Sequence, residues 1–324
     1  MSSTPDWQAP KAAQPKPENY DYDLEQALGA MVALRSTVPP EAFSAETLGT
    51  ERQGNAVHIG NGQVLTIGYL INEADTIWLR FSDGSVQQGT VLGYDHETGF
   101  AIVQTLGQVK VPALEFGDSS AIRIGDAVVV AGAGGRRRSV AAEVTGRQEF
   151  AGYWEYLVED AIFTAPSHPN WGGTALLGAG GDLVGIGSLQ LERAREGAEA
   201  EPINMFVPTD LLKPVIKDLR MHGRPNRPAR PWIGAHAAEI DGNLVVIGRA
   251  KHGPARAAGL QRGDLIIGVA GEHVQDLGGF YRRIWSLGKA GVEVPLLVVR
   301  DGKKVEVRII SGDRSQMAKA PRLH

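Results

Sequence analysis

From about residue 54 onward, apolar and polar positions alternate in short runs, and each run is closed by a turn. Thr76-Ile77-Trp78-Leu79-Arg80-Phe81 alternates with a period of two, and Ser82-Asp83-Gly84 follows as a turn. Val64-Leu65-Thr66, Ala127-Val128-Val129-Val130 and Leu183-Val184-Gly185-Ile186 are further short strand-like runs. A period of two sends successive side chains to opposite faces, so each alternating run predicts a strand with one face buried. Many short strands, with 41 glycines in the chain, predict a sandwich or barrel rather than alternating strands and helices. One segment departs from this pattern. Leu212, Val215, Ile216 and Leu219 recur at helical spacing, Thr209 or Asp210 can cap them, and Gly223 can end the helix. Pro214 falls near the first turn, where a missing N–H costs least.

At 324 residues the chain exceeds what one core usually organises, and about 150 residues per domain predicts two domains. Residues 1–22 are polar and proline-rich and are expected to be disordered. An apolar stretch, Leu24 to Val38, ends at Pro39-Pro40. The basic, proline-rich run Arg224-Pro225-Asn226-Arg227-Pro228-Ala229-Arg230 predicts a linker, and residues 313–324 a flexible tail. A net charge of −4 gives no overall pull toward nucleic acid. The absence of cysteine excludes disulfides, thiolate nucleophiles and cysteine-based zinc sites. The histidines lack helical metal-ligand spacing, and no cofactor motif stands out. Gly132-Ala133-Gly134-Gly135 before Arg136-Arg137-Arg138 is a weak phosphate-cradle signal and reads better as a surface loop. No run approaches the roughly 20 apolar residues of a membrane span, and no leader pattern opens the chain. A cytoplasmic location is expected, or a periplasmic one if a leader has been removed.

Landmarks spread in order over residues 54–222 carry a resemblance. They are Val64-Leu65-Thr66, Phe81-Ser82-Asp83-Gly84, Asp95-His96-Glu97-Thr98-Gly99-Phe100-Ala101-Ile102-Val103, Phe116-Gly117-Asp118-Ser119 and Ile124-Gly125-Asp126. Ala165 to Leu177, Gly181-Asp182-Leu183-Val184-Gly185-Ile186 and Asn204-Met205-Phe206-Val207-Pro208-Thr209 complete them. Together they resemble the protease domain of the HtrA/Deg family. The implied architecture is mainly β, a trypsin-like double β-barrel over residues 23–223 followed by a smaller α/β PDZ domain over 231–312.

The resemblance puts Tyr69 where the family has its catalytic histidine and Gly99 where it has the aspartate. Gly172 stands in the serine's place, with one residue deleted in that loop. Acyl transfer needs a nucleophile, a base to deprotonate it and an acid to orient the base. Glycine supplies no nucleophile, and a tyrosine with a reference pKa of about 10 is a poor proton acceptor at neutral pH. The site is therefore expected to be non-catalytic. Ser167, His168 and Thr174 are the displaced residues an active alternative would use. Ser167 and His168, adjacent on a strand, point to opposite faces. Asp95, His96 and Glu97, and His58, read as turn and packing residues. Trp171 can pack into the vacant cleft or offer an aromatic face to a ligand.

Trp232-Ile233-Gly234-Ala235, Gly253-Pro254-Ala255-Arg256-Ala257-Ala258-Gly259-Leu260, Arg262-Gly263-Asp264-Leu265-Ile266 and the hairpin Arg300-Asp301-Gly302-Lys303 resemble the family's PDZ domain. Such a module pairs a partner's C-terminal strand with a sheet edge while consecutive backbone N–H groups receive its carboxylate. By resemblance Trp232, Ile233, Gly234 and Ala235 form the carboxylate loop; Phe280 and Ile284 lie on the helix expected to flank the groove, and both could equally belong to the hydrophobic core. Tyr281 and Trp285 are rival groove residues. The implied partners are protein C-termini or unfolded polypeptide, bound by a scaffold, chaperone or regulator in protein quality control. The alternatives are an active serine endopeptidase using displaced residues and a structural subunit beside an active protease. The family commonly forms trimers, here through the stretch Tyr20 to Leu34.

Overall fold

The computed structural model describes residues 7–195 and 197–317. Two closed six-stranded barrels come first. The first is built from β1 (Met31–Thr37), β2 (Glu51–His58), β3 (Gln63–Ile67), β4 (Thr76–Arg80), β5 (Val86–Tyr94) and β6 (Phe100–Thr105), in the order β1-β2-β3-β6-β5-β4. It closes where β1 pairs with β4, Leu34 opposite Leu79. The alternation in β4 is realised as read: Ile77 and Leu79 are buried while Trp78 between them is 48% exposed.

The second barrel comprises β7 (Ala127–Ala131), β8 (Ser139–Gly152), β9 (Tyr156–Ala165), β10 (Ala175–Leu177), β11 (Leu183–Arg195) and β12 (Ala198–Pro208), in the order β10-β11-β12-β9-β8-β7. Its core gathers Val128, Val130, Val140, Val144, Ile162, Leu176, Val184 and Phe206.

The N-terminal segment corrects one expectation. Residues 1–6 lie outside the described residues, but from Trp7 the chain is packed rather than disordered. Ala9 is 3% exposed within the second barrel's core, with Trp7 and Ala13 against it. Ala9 donates its N–H to the Arg137 carbonyl at 2.8 Å, and the Ala13 carbonyl accepts from Ala141 at 2.8 Å. A few well-placed apolar side chains and two backbone bonds outweigh the polar average of the segment. Of the expected flexible tail, Asp313–Met317 forms a short capped turn, and the rest lies outside the described residues.

The predicted helix is present in two pieces. Thr209–Leu211 forms a 3-10 turn and Ile216–His222 an α-helix, with Gly223 at φ +72° ending it. Pro214 lies between them, where its missing N–H leaves no continuous ladder. The helix rests on β5 at Gly93: a Cβ there would come within 2.5 Å of the Leu219 carbonyl oxygen.

The described chain divides into two compact units. One holds the barrels, up to Gln148 and again from Asp160 to Asn226; the other takes Arg227–Met317 together with Glu149–Glu159. The second unit thus contains the span 231–312 and takes in the β8–β9 tip as well. Its sheet runs β13 (Ala235–Ile240), β14 (Asn243–Arg249), β15 (Leu265–Val269), β17 (Glu293–Arg300) and β18 (Lys303–Ile310), with the short β16 (Glu272–His273) on β15. The helix Leu277–Ser286 starts at Asp276, whose carboxylate accepts from Gly279 N–H, and it buries Phe280, Tyr281 and Ile284. Asp264, 1% exposed, receives both Nε (2.7 Å) and Nη2 (2.6 Å) of Arg300.

Gly93→Ala is expected to destabilise the full chain by about 1–3 kcal/mol, because backbone rather than a movable side chain blocks the methyl group. Urea unfolding measures this; an unchanged midpoint would contradict the packing described.

Candidate functional site

In the first unit the turn after β3 of one barrel meets the loop before β10 of the other. Tyr69 sits on a 3-10 turn, Gly68–Leu70, directly after β3. Its hydroxyl donates to the Ser188 carbonyl at 2.9 Å. Burial drives that hydroxyl's pKa well above the ordinary tyrosine value, which leaves it a neutral donor. Gly172 is immediately opposite: a Cβ at that position would lie 2.7 Å from the Tyr69 oxygen. Gly99, at φ +84°, accepts a 2.7 Å bond from Gly68 N–H, one residue before Tyr69. The structure thus brings Tyr69 and Gly172 into contact and sets Gly99 beside them.

Asn55 ties the loop down. Its side-chain amide donates to the carbonyls of Asn170 (2.8 Å) and Gly172 (3.3 Å), and its Oδ1 accepts from Ala133 N–H (2.9 Å). Its own N–H donates to the Gly172 carbonyl at 2.8 Å. Gly173, at φ +73°, has no room for a side chain, since a Cβ would meet the Asn55 carbonyl at 1.8 Å. Asn55 is a residue the motif comparison does not single out. It lies on β2, where only the fold places it beside residues more than a hundred positions away.

The displaced candidates are committed elsewhere. His168 is 1% exposed, its Nε2–H donates to the Arg138 carbonyl (2.9 Å), and its Nδ1 accepts from Asn170 N–H (3.1 Å). Burial lowers its pKa to about 4. The Trp7 ring lies against it, centroids 4.6 Å apart. Both ring nitrogens are engaged with backbone, so no lone pair is free to take a proton from Ser167. The Thr174 hydroxyl donates to the Trp171 carbonyl at 2.8 Å. His58 turns its Nδ1 to the Pro112 carbonyl. Among the described residues no group of three or more His, Asp or Glu side chains is placed to hold a metal ion. Nor is any described helix long and apolar enough to cross a membrane.

In the second unit the loop Trp232–Ala235 presents three consecutive backbone N–H groups to one carboxylate. Ile233 donates to Glu155 Oε2 at 3.0 Å, while Gly234 (2.6 Å) and Ala235 (3.1 Å) donate to Oε1. Gly234 holds φ +71°, which lets successive N–H groups converge as an anion-binding concavity. Burial raises the Glu155 pKa to about 7, against the opposing pull of the three N–H groups and Arg314. Two residues before Glu155, the Tyr153 carbonyl accepts from Ala237 N–H on β13 at 3.1 Å. The Tyr281 hydroxyl donates to the Gly152 carbonyl (2.8 Å) and accepts from Glu155 N–H (3.2 Å). Of the groove candidates, Phe280, Tyr281 and Ile284 are all 0% exposed and belong to the unit's core, and Trp285 packs against it. Tyr281, the rival candidate on the same helix, is the one that bonds the segment lying against the loop. No periodicity or spacing announces Glu155, which is 78 residues from Ile233 in sequence.

Comparison with known proteins matches two family models: a trypsin-like peptidase domain over residues 54–186 and a PDZ domain over residues 231–310. The chain is 26% identical to serine endoprotease DegS of Escherichia coli K12, over 90% of this chain and 85% of that protein. It is 22% identical to serine protease Do-like HtrA of Lactobacillus helveticus, over 77% of this chain and 65% of that protein. Among solved structures, an HtrA-type protease AlgW with tripeptide has the same fold, with a TM-score of 0.53 at 24% identity, covering 92% of this chain and 97% of that one. The expected cytoplasmic location does not stand. Relatives from Pseudomonas putida, Chlamydia trachomatis and Haemophilus influenzae are named periplasmic, and an N-terminus without an apolar leader is no evidence of compartment.

The two buried groups give opposite pH dependences. His168, depressed from 6.5 to about 4, contributes stability that is present above pH 6.5 and lost as pH falls through 4. Glu155, raised from 4.5 to about 7, contributes stability that is present below pH 4.5 and lost as pH rises through 7. At pH 5.5 the ring nitrogens of His168 are expected to keep the NMR shifts of a neutral Nε2–H tautomer, and a charged ring would contradict the geometry. In Glu155→Gln the stability loss between pH 4.5 and 7 is expected to shrink; an unaltered slope assigns it to another group.

Proposed function

We propose that this chain, a trypsin-like domain of HtrA/Deg type joined to a C-terminal PDZ domain, binds polypeptide ends or unfolded segments and does not cut them. The observation that carries this reading is the contact between Tyr69 and Gly172. At the position the resemblance gives to the nucleophile there is a backbone without a side chain. The space a serine Cβ would take is closed by a hydroxyl already donating to the Ser188 carbonyl. A phenol with a raised pKa accepts protons poorly, and Gly99 brings no carboxylate to orient a base. The PDZ domain needs no side-chain chemistry of that kind, since its carboxylate loop works through backbone N–H groups. A scaffold, chaperone or regulator role outside the cytoplasm follows from that capacity and from the named location of the periplasmic relatives.

A second reading is favoured by the relatives themselves, which are named serine proteases and endoproteases. It makes this chain an active endopeptidase using a displaced hydroxyl such as Ser167 or Thr174.

A fluorophosphonate probe on the full chain separates the two. The first reading predicts no labelling above that of a boiled control; stoichiometric labelling at Ser167 or Thr174 would establish the second. A double-substitution cycle tests the contact itself. Gly172→Ala is expected to cost about 1–3 kcal/mol alone and clearly less in a Tyr69→Phe background, because the colliding oxygen is then gone. Additive effects would mean that the two residues do not touch.

A further inference from the structure

The carboxylate loop of the second unit already holds a carboxylate, and the chain itself supplies it. Three features make the segment Gly152–Glu155 resemble a docked peptide end rather than ordinary packing. Its carboxylate takes three consecutive N–H groups, from Ile233, Gly234 and Ala235. Two residues earlier, the Tyr153 carbonyl takes the N–H of Ala237, which is the edge bond an added strand would make on β13. The buried Tyr281 hydroxyl spans the segment, donating to the Gly152 carbonyl and accepting from Glu155 N–H. Glu155 adopts φ +58°, a backbone conformation that non-glycine residues rarely take, so local preference alone does not explain its placement.

We propose that Gly152–Glu155 is an internal ligand of the PDZ site, and that a partner's C-terminal peptide binds by displacing Glu155 from the Trp232–Ala235 loop. This rests on the reading that the PDZ domain receives C-terminal carboxylates. Two carboxylates cannot share the same N–H groups, because like charges at such short range repel and each would lose donors the other takes. The displaced tip has somewhere to go. Tyr153 at its apex is 44% exposed, the Arg282–Glu149 ion pair at its base is partly solvated, and Arg314 holds the Trp154 carbonyl by one 3.3 Å bond. The partner that competes is a chain end with a free α-carboxylate. An amidated end offers nothing in its place.

The test uses the full chain and a fluorescent pool of octapeptides, randomised at the last four positions, with free or amidated C-termini. An internal ligand lowers apparent affinity by the fraction of undocked molecules, so Glu155→Ala is expected to bind the free-acid pool about ten- to a hundredfold more tightly than wild type. The amidated pool is expected to bind neither. In wild type, saturating free-acid peptide is expected to speed hydrogen exchange of the amides in 149–159 while those of Ile233, Gly234 and Ala235 stay protected. That second measurement does not depend on the folding of a variant. Equal affinity of wild type and Glu155→Ala, with exchange in 149–159 unchanged by bound peptide, overturns the internal ligand and leaves peptide binding intact. If neither protein binds the free-acid pool while exchange shows the tip released in Glu155→Ala, the peptide-binding reading itself fails, and this inference with it.

Discussion

A backbone N–H or carbonyl taken out of water has to find a partner, and two loops of this chain cannot find theirs in a strand ladder. The loop 170–172 exposes carbonyls toward β2, and Asn55 answers them with its side-chain amide and its own N–H. The loop 233–235 aims three donors at one point, and Glu155 answers those. Each loop is thus completed by one side chain distant in sequence. The geometry of both candidate sites follows from those two residues more than from any residue a motif would mark.

The two completions have different consequences. Asn55, with Gly173 closed against its carbonyl, fixes the loop so that Gly172 faces the Tyr69 hydroxyl, and it leaves little room for a side chain at either glycine. His168 reinforces the arrangement through two backbone bonds that use both of its ring nitrogens. Glu155 completes its loop with a charge, and burial makes that charge costly to hold. The first loop is bound by neutral amide bonds within the barrels, the second by an ionisable group that an external carboxylate can imitate.

Much of the architecture was legible because it is local. The alternation from Thr76 to Phe81 has period two, and the strand turns its faces as that period requires. The landmarks around Thr66, Gly99 and Gly172 follow in order, and the structure brings the residues at those positions together. The rest was hidden because it is not local. The N-terminal segment has the composition of a loose end, yet Trp7 and Ala9 pack on the second barrel through contacts that no window of sequence contains. Pro214 lies within a helical period, and the ladder breaks around it. The side chains that complete the loops, Asn55 and Glu155, act across 115 and 78 positions of chain. Helix position left Phe280 and Ile284 open between groove and core, and all three of Phe280, Tyr281 and Ile284 are packed in the core.

In physical terms the chain keeps a protease-like frame and a carboxylate-receiving loop, and the proposed activity is to hold polypeptide rather than hydrolyse it. Native mass spectrometry of the full chain incubated with unfolded casein tests this most directly. The account predicts complexes containing casein of intact mass, unchanged over hours. Casein fragments with new C-termini, accumulating in proportion to the chain added, would contradict it.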